Sequence, residues 1–284
     1  MTNKKRAIMS NQQKNEQSNK PQNTTPATNG FNSNQAPAGE KNSSSQAGIV
    51  SLPKGGGAVK GIGEKFQANP VTGTASFSVP IALSAGRNGF TPQLALSYNS
   101  GSGNSPFGLG WNIGLPSIAR KTDKGLPRYA DDENSDTFIL SGAEDLVPKL
   151  VLDGADWIPV IRTEGNYTIQ EYRPRVEGLF ARIERYQHTT TKIIHWQATT
   201  RENVTSIYGL TAQARVANPQ YATQIFEWLL ERTYDAKGNL MEFDYKAEDD
   251  ANIGASQHEQ NRQRIANRYL KEVRYGNTVM YNPN

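Results

Sequence analysis

From residue 49 onward, apolar residues recur at every second position in short runs that end at Gly, Pro, Asn or Asp. A strand places successive side chains on opposite faces, so this alternation is typical of strands with one buried face. Many such runs at close spacing predict a mainly β body of short antiparallel strands. The predicted strands are 74–79, 93–98, 137–140, 145–148, 181–186, 192–196, 204–208, 229–234, 240–245 and 269–275.

Turn residues join two pairs of these runs into predicted hairpins. Ser141 and Gly142 separate one pair, and residues 235–239 separate another. Gly, Asn and Asp accept the backbone conformations of tight turns. Two other segments, 222–230 and 257–269, have compositions that allow a short helix, and the second is polar enough to favour a loop that contains some helix.

The first 48 residues differ in composition from the rest of the chain. They are dense in Asn, Gln, Ser, Lys and Pro, and Phe31 is their one aromatic residue. Such a segment cannot bury enough apolar surface to offset the entropy lost on ordering. We therefore expect a disordered, polar, basic tail over 1–48 and a β-rich domain over 49–284.

The positive net charge of the chain, 31 Lys and Arg against 27 Asp and Glu, comes from this tail, which holds six basic and two acidic residues. The body is therefore neutral and lacks the positive surface typical of nucleic-acid binding, so we expect no nucleic-acid partner. Polar residues 10–19 stand where a cleaved secretory signal has its apolar core. No run approaches the ~20 apolar residues of a membrane span, so we expect no membrane insertion by this chain.

A glycine-rich segment, 96–121, raises the question of a phosphate-binding loop. It does not contain G-x-x-x-x-G-K-[ST], and in the second glycine-rich run, 53–65, Ile62 stands where that motif has lysine. Glycine also permits sharp strand bends and close backbone approach. We therefore predict a strand-bending segment with Trp111 as a buried anchor. Its predicted structural residues are Gly101, Gly103, Phe107, Gly108, Gly110 and Trp111.

The acidic run 129–136 partly matches a calcium-binding loop. Asp132, Asn134 and Asp136 have the spacing of the first three ligands, but Thr137 and Ala143 stand where the loop has Gly and Glu. The run is therefore predicted to be a solvated turn.

No catalytic or metal-binding pattern is found among the remaining residues. The histidines His188, His195 and His258 are too scattered for a zinc pair, and His195 is predicted to be a packed residue of a strand. The chain has no cysteine, which excludes disulfides and thiolate zinc sites, and no G-x-S-x-G motif. We expect no enzymatic activity and no cofactor.

Six segments resemble the N-terminal region of the SpvB/TcB family, which includes the B components of insecticidal toxin complexes and the Salmonella virulence plasmid B protein. The resemblance extends from about residue 51 to residue 277. In addition, FGLGW resembles a motif of Rhs-type shells, and YDAKGN at 234–239 resembles their YD-repeat hairpin. The six segments are SLPKGGGAVKGIGEKFQANPVTGTASFSVPI (51–81), GFTPQLALSYNSGSGNSPFGLGWNIGLPSIARKTDKGLPRY (89–129), DTFILSGAEDLVP (136–148), YRPRVEGLFARIER (172–185), HWQATTRENVTSIYG (195–209) and RYLKEVRYGN (268–277).

The resemblance implies part of an Rhs-like curved β-shell and a structural role in a secreted toxin complex. In such complexes the B component joins a C component in a hollow cocoon that holds a toxic effector, and the cocoon docks on an A component. The expected partners are therefore the C and A components or downstream shell sequence. The expected location is extracellular without a cleaved signal peptide, after synthesis in the bacterial cytoplasm.

Family B components are longer than this chain, so we expect the shell domain to be incomplete at its C-terminus. A fragment, a small partner that completes another shell, and a chain cut at a domain boundary remain open. Two functional alternatives also remain. One is the delivery portion of an ADP-ribosyltransferase toxin whose catalytic domain is absent from this chain. The other is a free-standing β-sandwich module that binds glycans or proteins through exposed aromatics such as Trp157 or Trp228, although core packing of both is predicted.

Overall fold

Strands dominate the part of the chain that the structure, a computed structural model, describes. The described residues are 65–69, 73–141, 145–178, 180–251, 253–254, 256–261 and 264–283. The predicted tail, most of the glycine run 53–65, and Gly142 and Ala143 lie outside them. The strands are β1 Lys65–Asn69, β2 Thr74–Pro80, β3 Ala95–Asn99, β4 Asn104–Ser105, β5 Gly108–Leu109, β6 Trp111–Ile113, β7 Ser117–Arg120, β8 Phe138–Leu140, β9 Asp145–Pro148, β10 Leu150–Asp153, β11 Asp156–Pro159, β12 Ile161–Glu164, β13 Tyr167–Pro174, β14 Arg182–His188, β15 Ile194–Thr199, β16 Thr205–Tyr208, β17 Arg215–Ala217, β18 Ile225–Tyr234, β19 Leu240–Ala247 and β20 Arg268–Tyr275.

Eight of these strands close into an antiparallel barrel. The order around it is β7-β8-β9-β13-β14-β15-β16-β18, and β18 pairs again with β7. Closure leaves each of these eight strands with a neighbour on both sides, so none of the eight has an unpaired edge along its whole length. The long strands β13 and β18 also pair with β12 and β17, and β18 continues into β19 and β20 outside the ring.

Most of the core of the molecule lies inside this barrel, and two core residues, Met241 and Phe243, lie on β19 outside the ring. Along β7, for example, Ile118 and Arg120 are buried while the residues between them are not, as the two-residue period of a strand requires. Burial of these apolar side chains is the main stabilising term of the fold. The core consists of Ile118, Phe138, Leu140, Leu146, Tyr172, Ile183, Ile194, Trp196, Ala198, Tyr208, Ile225, Trp228, Leu230, Met241 and Phe243.

A smaller four-stranded sheet, in the order β1-β2-β3-β6, precedes the barrel in sequence. The loop that follows β2 contacts the turn between β18 and β19. Arg87 donates to the Gly238 carbonyl at 3.2 Å, and Ser84 shares a hydrogen bond of 3.0 Å with Tyr275. These contacts hold the small sheet against the outer end of the barrel extension.

The structure confirms the mainly β prediction and most of the predicted strands. The hairpin at 235–239 is also confirmed, because Asp235 accepts hydrogen bonds from the backbone N–H groups of Lys237 and Asn239 at 2.9 and 3.0 Å. The possible helix at 222–230 is wrong, since β18 begins at Ile225 and is paired on both edges. The segment 257–269 contains one 3₁₀ turn, Gln257–Glu259. Ten of the twenty described strands were missing from the prediction, among them the barrel strands β7 and β13 and the hairpin β10–β11.

Within the described residues, no helix has both the length and the apolar composition needed to cross a membrane.

Candidate functional site

A buried arginine occupies one end of the barrel. Arg120 extends inward from β7 and is 1% exposed. Its Nε donates to the Ile225 carbonyl at 2.7 Å, and its two terminal nitrogens donate to both carboxylate oxygens of Asp131 at 2.8 Å. Nη1 also donates to Asp136 at 2.7 Å. Each of the three guanidinium nitrogens thus donates to an acceptor, and aromatic rings lie close to the guanidinium, which favours the charge further. The rings are those of Tyr129, Phe138 and Trp228, with centroids at 4.7, 5.2 and 5.3 Å.

The acidic run forms the predicted turn, with Asp132, Glu133 and Asn134 exposed, but two of its other carboxylates cap one end of the barrel. The side chains of Asp131 and Asp136 are only 11% and 6% exposed, because Arg120 draws them into the barrel end. Burial raises the pKa of Asp136, but the backbone N–H groups of Arg128 and Tyr129 and the Arg120 guanidinium outweigh it and hold that pKa below its usual value.

Two further residues of the cap contact interior side chains. Asp132 accepts a hydrogen bond from Gln187 of β14 at 3.3 Å, and Asn134 accepts one from the hydroxyl of Tyr172 of β13 at 3.3 Å. The oxygens that resemble calcium ligands in sequence therefore have protein donors in this structure.

Within the predicted glycine segment, residues 100–110 form a small excursion between β3 and β6, before the chain enters the barrel at β7. Its residues Asn104–Ser105 and Gly108–Leu109 form the two-stranded hairpin β4–β5. Gly110 has φ +81°, and a Cβ there would lie 2.5 Å from Tyr98 Cε2, so a side chain is excluded. Gly108 has φ +103° but open space around it. A Cβ on Gly101 would lie 2.9 Å from the Thr74 side chain, while Gly103 faces open space.

Trp111 packs against the small sheet and does not enter the barrel core. It is half-buried, with its ring centroid 5.3 Å from that of Tyr98 and 6.2 Å from that of Phe77. Phe107, at the tip of the excursion, is exposed. The structure thus brings Trp111 and Gly110 together around Tyr98 but leaves Phe107 apart from them. A strand-bending role for these residues stays a prediction.

His195 lies in β15 on the outer face of the barrel and is buried there. Its ring stacks on Tyr186 at 4.9 Å and meets the edge of Tyr167 at 5.2 Å. Burial, with a smaller contribution from the charge of Arg215, lowers the pKa of His195 to about 4. The residue is therefore neutral at pH 7 and packed among aromatic rings, as predicted. His258 lies at the exposed 3₁₀ turn and His188 at the end of β14.

The hairpin β10–β11 exposes apolar residues on both faces. Leu152 pairs with Trp157 and Val151 with Ile158, and all four are exposed. Trp157 is 65% exposed, so the prediction of core packing is wrong for this residue. It is right for Trp228, which is fully buried and donates from Nε1 to the Ile194 carbonyl at 2.7 Å. A two-stranded hairpin with no covered face is marginally stable by itself.

The last strand, β20, presents a sheet edge. It pairs with β19 along one side, and no described strand pairs with its other side. Such an edge carries a row of backbone donors and acceptors that can accept another strand. Arg274 on this strand forms an ion pair of 2.8 Å with Asp244 of β19, so part of the edge is charged.

A shallow polar cleft of about 190 Å³ lies near the 3₁₀ turn, where Arg264 pairs with Asp250 at 3.0 Å. Pockets for small ligands commonly measure roughly 300–1,000 Å³ and are mostly apolar, so this cleft has little in common with them. Among the described residues, no group of three His, Asp or Glu side chains is placed to hold a metal ion.

Comparison with known families identifies the chain. The family described as Salmonella virulence plasmid 65kDa B protein, SpvB, matches residues 69–283. The chain belongs to the SpvB family. A curated relative, the Mono(ADP-ribosyl)transferase SpvB of Salmonella choleraesuis (strain SC-B67), is 38% identical over 236 residues, which are 81% of this chain and 38% of that protein. The chain thus spans well under half the length of the curated SpvB relatives that it matches.

Solved structures extend the similarity beyond SpvB itself. The N-terminal domain of the effector protein SpvB from Salmonella typhimurium strain LT2 is 36% identical with a TM-score of 0.64, covering 72% of this chain and 64% of that one. The crystal structure of TcdB2-TccC3 is 37% identical with a TM-score of 0.67, covering 82% of this chain and 11% of that one. A Photorhabdus luminescens Tc holotoxin pore gives a TM-score of 0.68. The SpvB-family fold therefore occurs both in a separate effector and within a much larger toxin chain.

The residue pattern did not indicate the buried arginines or the apolar hairpin. The strand that carries Arg120 was not predicted, because Leu115-Pro-Ser-Ile-Ala-Arg120 has no clear two-residue alternation, so its inward position could not be recognised. The run 150–159 alternates weakly and is interrupted by Asp and Gly, which hid its two strands.

Proposed function

We propose that this chain is a structural section of a secreted toxin complex, and that it forms part of a β-shell that encloses and helps deliver a toxic effector. The observation that carries the proposal is the open edge of β20, on strands that leave an otherwise closed barrel. A shell wall grows by adding strands to such an edge, and each added strand satisfies the backbone groups of the one before it.

The similarity to TcdB2-TccC3 supports this role. That toxin chain contains the fold as about a tenth of its length, since 82% of this chain matches 11% of it at 37% identity. A module embedded in a larger chain needs surfaces that pack against its neighbours. The exposed apolar hairpin β10–β11 provides such a surface, because exposed apolar side chains are gathered there and not scattered singly.

The proposed partners follow from the same relatives. They are a C component of the TccC3 type and further shell sequence, with an A component of the holotoxin as a more distant partner. The proposed location is outside the bacterial cell, after synthesis in the cytoplasm. In this role the chain itself is not an enzyme.

Co-expression of the full chain with a C component tests the proposal. We expect a complex that co-elutes in size-exclusion chromatography and that protects the C component from limited proteolysis. The variant Trp157→Glu places a charge on the apolar hairpin and should weaken the complex. Tyr221→Glu, at another exposed aromatic, is the matched control and should not. Separate elution of the two chains under all conditions would contradict a shell role.

A second candidate function is the delivery portion of an ADP-ribosyltransferase toxin. The observation in its favour is that the curated relatives are named Mono(ADP-ribosyl)transferase while this chain matches 38% of their length. Under this alternative, the chain gains transferase activity only when a catalytic domain is joined to it. Labelled NAD and a cell lysate test both roles: the chain alone should transfer no label under either, and label transfer by the chain alone would overturn both assignments. Co-elution with a C component is expected only for the shell role and therefore separates the two.

A further inference from the structure

Three buried side chains on neighbouring barrel strands form a row of hydrogen-bond donors. Gln170 of β13 lies directly opposite Arg185 of β14, and Arg185 lies directly opposite Trp196 of β15. Opposite residues of adjacent strands project from the same face and have Cβ atoms roughly 5 Å apart. This face also carries the core residues Tyr172 and Ile183, so the row faces the barrel interior.

The row contains more donors than acceptors. Gln170, Arg185 and Trp196 are 2%, 5% and 0% exposed, and Arg185 Nη2 donates to Gln170 Oε1 at 2.8 Å. Four buried nitrogens of the row have no hydrogen-bond partner in the structure: Gln170 Nε2, Arg185 Nε, Arg185 Nη1 and Trp196 Nε1. Buried polar groups in folded proteins are nearly always paired, and each such exception calls for an explanation.

Arg185 also lacks a counter-ion among the described residues. No carboxylate there comes within 4.0 Å of its guanidinium, whereas Arg120 in the same barrel contacts two. The face of Arg185 lies 5.7 Å from the Tyr172 ring, which offsets only part of the loss of water. Asp132 accepts a hydrogen bond from Gln187, which lies two residues from Arg185 on β14. Asp132 is exposed, however, and forms no ion pair with Arg185. A buried, unpaired cation is strongly unfavourable, so the site requires a negative partner.

We propose that the barrel interior binds a small inorganic anion, such as chloride or phosphate, on Arg185, Gln170 and Trp196. All the unpaired atoms of the row are N–H donors. A ligand that accepts several hydrogen bonds and has no hydrogen-bond donor of its own is therefore complementary to the row. A water molecule accepts two hydrogen bonds and carries no charge, so it leaves the guanidinium uncompensated. The site differs from the Arg120 cap, where protein carboxylates already supply the acceptors.

Thermal unfolding of the full chain in an anion series tests the proposal. Melting is followed at constant ionic strength as chloride or phosphate replaces a bulky organic anion that cannot enter the barrel. Because a ligand that binds the native state stabilises it by mass action, Tm should rise by about 5–10 °C at 100 times the dissociation constant and then continue to rise with the logarithm of the anion concentration. Arg185→Met should remove this rise, while Arg182→Gln, an exposed arginine of the same strand, should retain it.

A direct measurement keeps the proposal testable if Arg185→Met does not fold. The gel-filtered protein is denatured, and the released anion is quantified by ion chromatography in the native chain and in Trp196→Phe, which loses one donor and keeps a ring. About one bound anion per chain is expected in the native protein, with several-fold weaker retention in Trp196→Phe. No retained anion, or an anion effect on Tm that is equal in Arg185→Met and Arg182→Gln, would overturn the proposal.

Discussion

Asp136 lies 2.7 Å from the Nη1 atom of Arg120, at the end of the barrel where the loop 131–136 crosses. The same carboxylate accepts hydrogen bonds from the backbone N–H groups of Arg128 and Tyr129 at 2.8 and 2.9 Å. One buried side chain of β7 therefore fixes the path of a loop that lies up to 16 residues further along the chain. The strand period that buries Ile118 also directs Arg120 inward, and the loop supplies the compensating charge.

Arg120→Met should destabilise the fold strongly. The substitution leaves two partly buried carboxylates close together, and the removal of one member of a buried ion pair costs about 3–5 kcal/mol. Urea unfolding should show a lower midpoint with an unchanged slope. Arg128→Gln is the control, because Arg128 is largely exposed and lies 3.9 Å from an exposed Glu133; its effect should stay within about 0.5 kcal/mol. Similar midpoints for the two variants would refute the cap.

The stability of the chain should fall as pH decreases from about 6.5 to about 4, because of His195. Its pKa is about 4 in the folded state and ~6.5 when unfolded, so in this range the unfolded chain binds a proton that the folded chain does not. A group of this kind stabilises the fold above its unfolded pKa, and a shift of that size corresponds to about 3 kcal/mol.

His195→Phe should flatten this part of the pH profile, since the ring stack with Tyr186 remains but the titrating group is removed. His258→Phe is the matched control, because His258 is exposed and its variant should keep the slope. Urea midpoints measured between pH 7 and pH 4 give the comparison. An unchanged slope in His195→Phe would show that other groups cause the acid sensitivity.

The sequence predicted the strands better than it predicted their closure. Alternation and turn residues located runs such as 240–245 correctly, because strand period and turn chemistry are local properties. The barrel closes because β18 pairs with both β7 and β16. The residues of the β7–β18 pair are more than 100 positions apart along the chain, and no local sequence pattern contains that information. The helix considered at 222–230 failed for the same reason, since sheet pairing on both edges overrides local propensity.

The same contrast between local and long-range determinants applies to the predicted site residues. Gly110 requires glycine because its φ is positive and an added Cβ would collide with Tyr98, and the FGLGW motif had indicated a structural role for this residue. The burial of Asp131 and Asp136 could not be foreseen, because it depends on Arg120 reaching them through the barrel end. The exposure of Trp157 contradicts the average burial of tryptophan, and the proposed role of the hairpin as a packing surface would account for it.

Gly110→Ala should destabilise the small sheet more than Gly108→Ala. Both glycines have positive φ, so each alanine bears a backbone strain of roughly 1 kcal/mol. At Gly110 the added Cβ also meets Tyr98 and the Asn99 carbonyl at 2.5 and 2.9 Å, whereas at Gly108 it meets nothing within 4 Å. We expect a difference of about 1–3 kcal/mol in the free energy of unfolding. Hydrogen exchange of the β3 and β6 amides measures the effect locally, and equal protection in both variants would contradict the close contact.

Trp157 should become protected when the chain enters the proposed complex. In the free chain it is the most exposed of the four tryptophans, since Trp196 and Trp228 are buried and Trp111 is half-buried. Acrylamide should therefore quench Trp157 most strongly, and the difference between the wild-type chain and Trp157→Phe isolates its emission. On binding a C component or further shell sequence, that emission should shift to the blue and its quenching should fall several-fold, because an apolar hairpin with two open faces gains most from being covered. Equal quenching in the free and bound states would show that the hairpin stays exposed to solvent in the complex. The edge of β20 would then be the remaining candidate for the assembly surface.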